Sequence, residues 1–116
     1  MRCAPDASLT TEEDIDMRPK LLVEDEIRQR LPALPGWRAE GGRLCRDFRF
    51  ADFSAAFAFM TRSALRAEQL DRHPDWSNVY NRVRVALCTH DVGGITELDV
   101  KLAQAMNRLE KNAELF

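Results

Sequence analysis

Residues 72–90, RHPDWSNVYNRVRVALCTH, hold both histidines of the chain and limit its fold more than any other stretch. Val83, Val85 and Leu87 alternate with Arg82, Arg84, Ala86 and Cys88, the period of a strand with one buried face. One unbroken strand from His73 to His90 would run about 55 Å at roughly 3.3 Å per residue. The 116 residues suffice for one domain with one modest core, which is narrower than that. The segment must therefore reverse. Tyr80-Asn81 is the best place, because Asn tolerates the positive φ that a tight hairpin needs. Pairing Val79 with Arg82 then sets Trp76 opposite Val85, His73 opposite Cys88 and His90 opposite Asp71. In that register both imidazoles leave the same face at the same end, and Trp76 joins Val83, Val85 and Leu87 on the core face. A slip of one residue would send the imidazoles to opposite faces.

The rest of the chain supplies the partners of this hairpin. VEDEIRQRL places Val23, Ile27 and Leu31 at helical spacing, and Pro32 and Pro35 stop the helix. GWRAEGGRLCRDFRF reads as a second hairpin turning at Gly41-Gly42, with Leu44, Phe48 and Phe50 in a rough alternation with polar residues. Asp52 caps the helix FSAAFAFMTRSALRAEQL, whose predicted buried stripe is Phe53, Phe57, Met60, Ala64 and Ala67. His73-Pro74 ends helical character, since a residue before proline is pushed toward extended geometry. After Gly93-Gly94, Thr96 and Asp99 form a capping-box-like start. Ile95, Leu98, Leu102, Met106 and Leu109 line one face of the last helix. The order α-β-β-α-β-β-α predicts an α+β fold: a four-stranded antiparallel sheet with three helices packed on one face. Residues 1–20 are polar and acidic and read as a mobile leader; residues 21–116 form the single domain.

Bulk properties remove several function classes. Net charge is −2, so no basic field argues for nucleic acid or anionic membrane. No apolar run is long enough for a transmembrane helix, and the N-terminal stretch has no apolar core of a secretory signal. Cys3, Cys45 and Cys88 fit neither a disulfide framework nor a zinc site and read as free thiols in a reducing cytoplasm. The histidines with Asp71 and Asp91 lack a metal-ligand motif. No serine sits in a nucleophile elbow, and no glycine loop cradles phosphate. A domain this small leaves apolar surface uncovered, which favours self-association. What remains is a convergence of Glu68, Asp71, Arg72, His73 and His90. Two imidazoles titrating near neutrality suit proton transfer in both directions. On spacing alone, surface or capping histidines are the commoner use of such residues.

The stretch FMTRSALRAEQLDRHPDWSNVYNRVRVALCTHDVGGITELD resembles the pterin-4a-carbinolamine dehydratases, and the resemblance runs from about Pro35 to Leu109. Its most specific parts are Glu68 with the His-Pro element five residues on, the Trp-x-Asn-Val-Tyr-Asn strand and the Thr-His-Asp strand end. The resemblance implies a four-stranded antiparallel α+β domain, assembled as a homodimer or homotetramer. It implies loss of water from a 4a-hydroxytetrahydropterin to give quinonoid dihydropterin, the step that recycles tetrahydrobiopterin for aromatic amino acid hydroxylases. No metal or organic cofactor is required. By the same resemblance His73 matches the second histidine of a pair, His90 the distal histidine and Glu68 a carboxylate that helps hold the site. Trp37 matches a tryptophan near the pterin, and Arg72, Asp71, Thr89 and Asp91 fall among the substrate-binding positions. Arg72 stands where the family has its first histidine. Arginine stays protonated and cannot act as a general base. Two readings follow: a dehydratase running on His73 and His90 with Arg72 as a fixed donor, or a weak or inactive relative that works as a protein-binding module, coactivator-like or assembly-factor-like.

Overall fold

Residues 19–112 are described by the structure, a computed structural model, so the predicted leader lies outside them except for Pro19 and Lys20. Helix α1 (Glu24–Arg30) opens with Glu24, Asp25 and Glu26 in its first turn, and the Glu26 carboxylate accepts the Val23 backbone N–H at 2.9 Å. Acidic groups there suit the positive end of the helix. Pro32 turns the chain through a short 3-10 segment, Leu31–Ala33. Strands β1 (Arg38–Glu40) and β2 (Arg43–Arg49) form the first hairpin around Gly41-Gly42, where both glycines take positive φ. Helix α2 (Phe53–Leu70) starts at Asp52, whose carboxylate accepts the Ala55 N–H at 2.8 Å. Strands β3 (Asp75–Val79) and β4 (Arg82–Leu87) form the second hairpin, and α3 (Glu97–Asn112) closes the chain.

The sheet order is β1-β2-β4-β3, antiparallel throughout. The second hairpin has the predicted register: Val79 pairs with Arg82 and Trp76 with Val85. Leu44, Phe48, Val83, Val85 and Leu87 are buried on one face, and Trp76 is packed against that core. The helices cover this face. Phe59 of α2 meets Phe48 and Phe50 with ring centroids 4.6 and 4.9 Å apart. From α3, Leu102, Ala103 and Met106 are fully buried. Ahead of α1, Leu22 donates its N–H to the Ile95 carbonyl at 2.9 Å, and the Arg30 guanidinium pairs with Glu97, so the start of the domain is tied to the start of α3.

Three local expectations are corrected. On α2 the buried residues are Ala55, Ala56, Phe59, Ser63 and Ala67, while Phe53 and Phe57 are 48% and 56% exposed and Ala64 is exposed too. Small side chains let the helix lie close to the sheet, and Phe59 is the one large wedge. At the Tyr80-Asn81 reversal the positive φ of 54° belongs to Tyr80 and not to Asn81. The Asn78 amide donates to the Tyr80 and Arg82 carbonyls and holds that strained residue in place, and the Asn81 amide donates to the Phe50 carbonyl. The β3–β4 ladder ends at Asp75 and Ala86, so His73 does not pair with Cys88, nor His90 with Asp71. Beyond that rung Arg72 folds back to give its N–H to the Ala67 carbonyl, and Thr89 bridges to Gly94.

Candidate active site

The C-terminal end of α2, the start of β3, the end of β4 and the start of α3 meet at one end of the sheet. Asp71 makes the exit from α2. It takes the left-handed conformation, φ 55°, and its N–H bonds the Ala67 and Glu68 carbonyls. Aspartate tolerates that conformation better than most residues. The turn aims the next residues across the sheet end. His73 is exposed, and its Nε2 lies 3.3 Å from Glu68 Oε1 on the last turn of α2. His90 is exposed as well and sits in the turn after β4. Since Asp75 and Ala86 are partners, the two histidine-bearing segments leave neighbouring strand ends.

Beneath them is a buried polar cluster. The Asp99 Oδ2 atom accepts the Thr89 hydroxyl at 2.7 Å and the Thr96 N–H at 2.9 Å. Thr89 spends its single hydrogen there, so the Thr96 hydroxyl donates to the Thr89 oxygen at 2.9 Å. Burial pushes the Asp99 carboxyl above its ordinary range, and the Thr96 and Thr89 hydrogen bonds and the positive charge of Arg72 oppose that rise. The Thr89 carbonyl accepts the N–H groups of Val92, Gly93 and Gly94, which anchors the turn that carries His90.

Glu68 and His73 are brought together as expected, and His90 opens onto the same end. Asp71 is a half-buried cap and Asp91 is exposed beside His90. Two residues expected at the substrate lie inside instead. Thr89 is fully buried with its hydroxyl committed to Asp99, and Arg72 is only 7% exposed, with Nε and Nη2 buried. Trp37 lies inside as well. It is a core residue leading into β1, on the sheet edge opposite β3. Its indole N–H goes to Asn107 Oδ1 at 2.7 Å, and its ring meets the Phe48 ring edge-on. Asp99 was legible as a helix cap but not as the centre of this cluster. The available signal was its position, since Asp99 falls on the apolar stripe of α3 with Leu102, Ala103 and Met106. A carboxylate on a buried stripe requires donors.

Other concavities lie elsewhere. A groove of about 340 Å³ is lined by Asp47, Arg49, Ser77, Val79 and Arg82 among others, and contains neither histidine. Cys45 and Cys88 are free thiols, while Cys3 lies outside the described residues. No described helix is long and apolar enough to cross a membrane.

The pterin 4 alpha carbinolamine dehydratase family matches residues 20–109. A protein of Synechococcus sp. (strain WH7803), provisionally named a pterin-4-alpha-carbinolamine dehydratase, is 54% identical over 89 residues, covering 77% of this chain and 96% of its own. A Brucella ovis protein with the same provisional name is 52% identical over 90 residues, covering 76% of this chain and 93% of its own. The crystal structure of a transcriptional coactivator/pterin dehydratase from Brucella melitensis superposes with a TM-score of 0.77 at 48% identity, over 78% of this chain and 99% of that one. With the matched region spanning the sheet and both histidines, the chain belongs to the pterin-4-alpha-carbinolamine dehydratase family.

Proposed function

We propose that the chain dehydrates 4a-hydroxytetrahydropterin in the cytoplasm, giving quinonoid dihydropterin and water as a step of tetrahydropterin recycling. A base takes the N5 proton, the N5=C4a double bond forms, and an acid protonates the departing 4a-hydroxyl. His73 and His90 are the proton-transfer pair. Glu68 orients His73, and Asp71 and Asp91 stand on the rim where a pterin is bound. The observation that carries this reading is the exposure of both imidazoles on neighbouring strand ends, one of them 3.3 Å from a carboxylate. Arg72 stays out of the proton traffic, because its Nε and Nη2 are buried.

The test is dehydration of freshly generated 4a-hydroxytetrahydropterin, followed by the ultraviolet absorbance of the product. His73→Ala and His90→Ala are each expected to slow the reaction by about 100-fold, and the double variant to match the spontaneous rate. A wild-type rate equal to the spontaneous one would overturn the reading. It would favour a protein-binding module, for which the exposed Phe53, Phe57 and Leu65 of α2 provide a surface. The Phe53 and Phe57 rings lie 5.8 Å apart on that face. This supports assembly of the chain as a homodimer or homotetramer, which light scattering at graded concentration measures.

A further inference from the structure

The sheet face turned away from the helices is rich in charge, and most of that charge is matched. Glu40 pairs with Arg38 at 3.2 Å, Asp75 with Arg43 at 3.1 Å and Asp47 with Arg84 at 3.3 Å. Two strand arginines of this face are left over, Arg49 and Arg82. Neither guanidinium has a hydrogen bond or ion pair among the described residues. They are also direct partners across β2 and β4. Opposed residues of an antiparallel pair hold their Cβ atoms about 5 Å apart, and like charges placed so destabilise the sheet. Core packing does not call for them, since both side chains are exposed.

We propose that Arg49 and Arg82 hold the phosphate of a small phosphomonoester on this open face. Both line the groove of about 340 Å³, a volume in the range of small-ligand sites. Ser77 lines it too, and its hydroxyl makes no described hydrogen bond; it pairs with Arg84, the next outward residue of β4 after Arg82. Asp47 is the one carboxylate in the lining, and Arg84 engages it, so the groove keeps two positive charges in excess. A phosphomonoester brings a charge of about −1.5 to −2 at pH 7 and three strong acceptor oxygens. Guanidinium forks bind such oxygens in pairs. A monocarboxylate would leave one arginine unanswered. A nucleic acid would need free cations beyond the groove, and Arg38 and Arg43 are already paired. Arg82 opens β4 while His90 follows its far end, so this site is separate from the imidazoles and stands whether or not the chain dehydrates pterins.

The experiment measures Tm of the full chain in glycerol phosphate, in inorganic phosphate and in potassium chloride at matched ionic strength. Arg49→Gln and Arg82→Gln are the test variants, and Arg43→Gln, which removes a paired arginine of the same face, is the control. Glycerol phosphate at ~10 times its Kd should raise the wild-type Tm by about 5–10 °C over chloride. Each test variant should weaken that response at least tenfold in Kd. In chloride alone each should raise Tm by about 1–5 °C, because the opposed charges no longer repel; a merely structural role would lower it. The control should keep the full response. A wild-type Tm equal in glycerol phosphate and chloride would overturn the site, as would a response lost equally in Arg43→Gln. Stabilisation by inorganic phosphate alone would overturn the phosphomonoester as its occupant. Binding of a DNA duplex that Arg43→Gln weakens as much as Arg49→Gln would replace the small ligand with a polyanion and overturn it too.

Discussion

Phe57 and Phe59 lie two residues apart on α2, and the fold assigns them opposite fates. Phe59 is 0% exposed and touches Phe48 and Phe50, whereas Phe57 is 56% exposed. A buried phenylalanine removes roughly 200 Å² from water, worth at most ~5 kcal/mol at ~25 cal/mol/Å². Core Phe→Ala substitutions cost about 3–5 kcal/mol once the cavity is included. With about 2.1 cal/mol/K of unfolding entropy per residue over roughly a hundred residues, Phe59→Ala should lower Tm by about 15–25 °C. Phe57→Ala should cost under ~0.5 kcal/mol in the isolated chain. If a second copy covers Phe57, its loss appears only at protein concentrations where the copies associate. Thermal unfolding of both variants across a hundredfold range of concentration separates these cases. A Phe57→Ala loss as large as that of Phe59→Ala at every concentration would refute the orientation of α2.

Three further outcomes follow from the site and its supports. Glu68→Gln should leave Tm within about two degrees, since both partners of the Glu68–His73 pair are well exposed, and slow dehydration only severalfold; a collapse in stability would contradict an exposed orienting contact. Burial raises the Asp99 carboxyl above its ordinary 3.8, so its contribution to stability is full below that value and is lost as pH rises through the folded one. The wild-type advantage over Asp99→Asn in urea midpoints should accordingly be largest near pH ~3 and shrink toward pH ~7; growth of that advantage with pH would reverse the sign. Gly36 has φ +87°, and a Cβ there would sit 2.6 Å from Arg46 Nε. Gly36→Ala should cost about 1–3 kcal/mol and loosen Arg46 from the Pro35 carbonyl and Asn107, which a thermal melt detects; an unchanged Tm would show that the backbone relaxes freely.

The element order and the β3–β4 register were legible because alternation of charged and apolar residues has a period that a shift of one residue destroys. Arg82, Arg84, Val83 and Val85 leave one solution. The buried face of α2 was not legible, because FSAAFAFMTRSALRAEQL is apolar nearly all round. Two stripes compete there, one of large rings at Phe53 and Phe57 and one of small residues with Phe59. Hydrophobic spacing weighs ring size, while close approach of helix to sheet selects small side chains, so Ala56, Ser63 and Ala67 won. Trp37 shows the reverse difficulty. A sequence gives no sign that Asn107, on the other side of the fold, will take its N–H.

The interior position of Arg72 is set by the exit of α2, where Asp71 takes the left-handed conformation and Arg72 gives its N–H back to the Ala67 carbonyl. Thr89 is drawn inward by its hydroxyl bond to Asp99 and its bridge to Gly94, and His90 follows in the turn outside. Placing Arg72 with both imidazoles at one mouth overlooks these local turns. In the structure the imidazoles are exposed and Arg72 and Thr89 are buried. A substitution of Arg72 is thus first a change of charge in the core. The other buried charge among the described residues, Asp99, is opposite in sign and held by Thr89 and Thr96 on Oδ2, so removing Arg72 withdraws a positive charge that favours its ionised form.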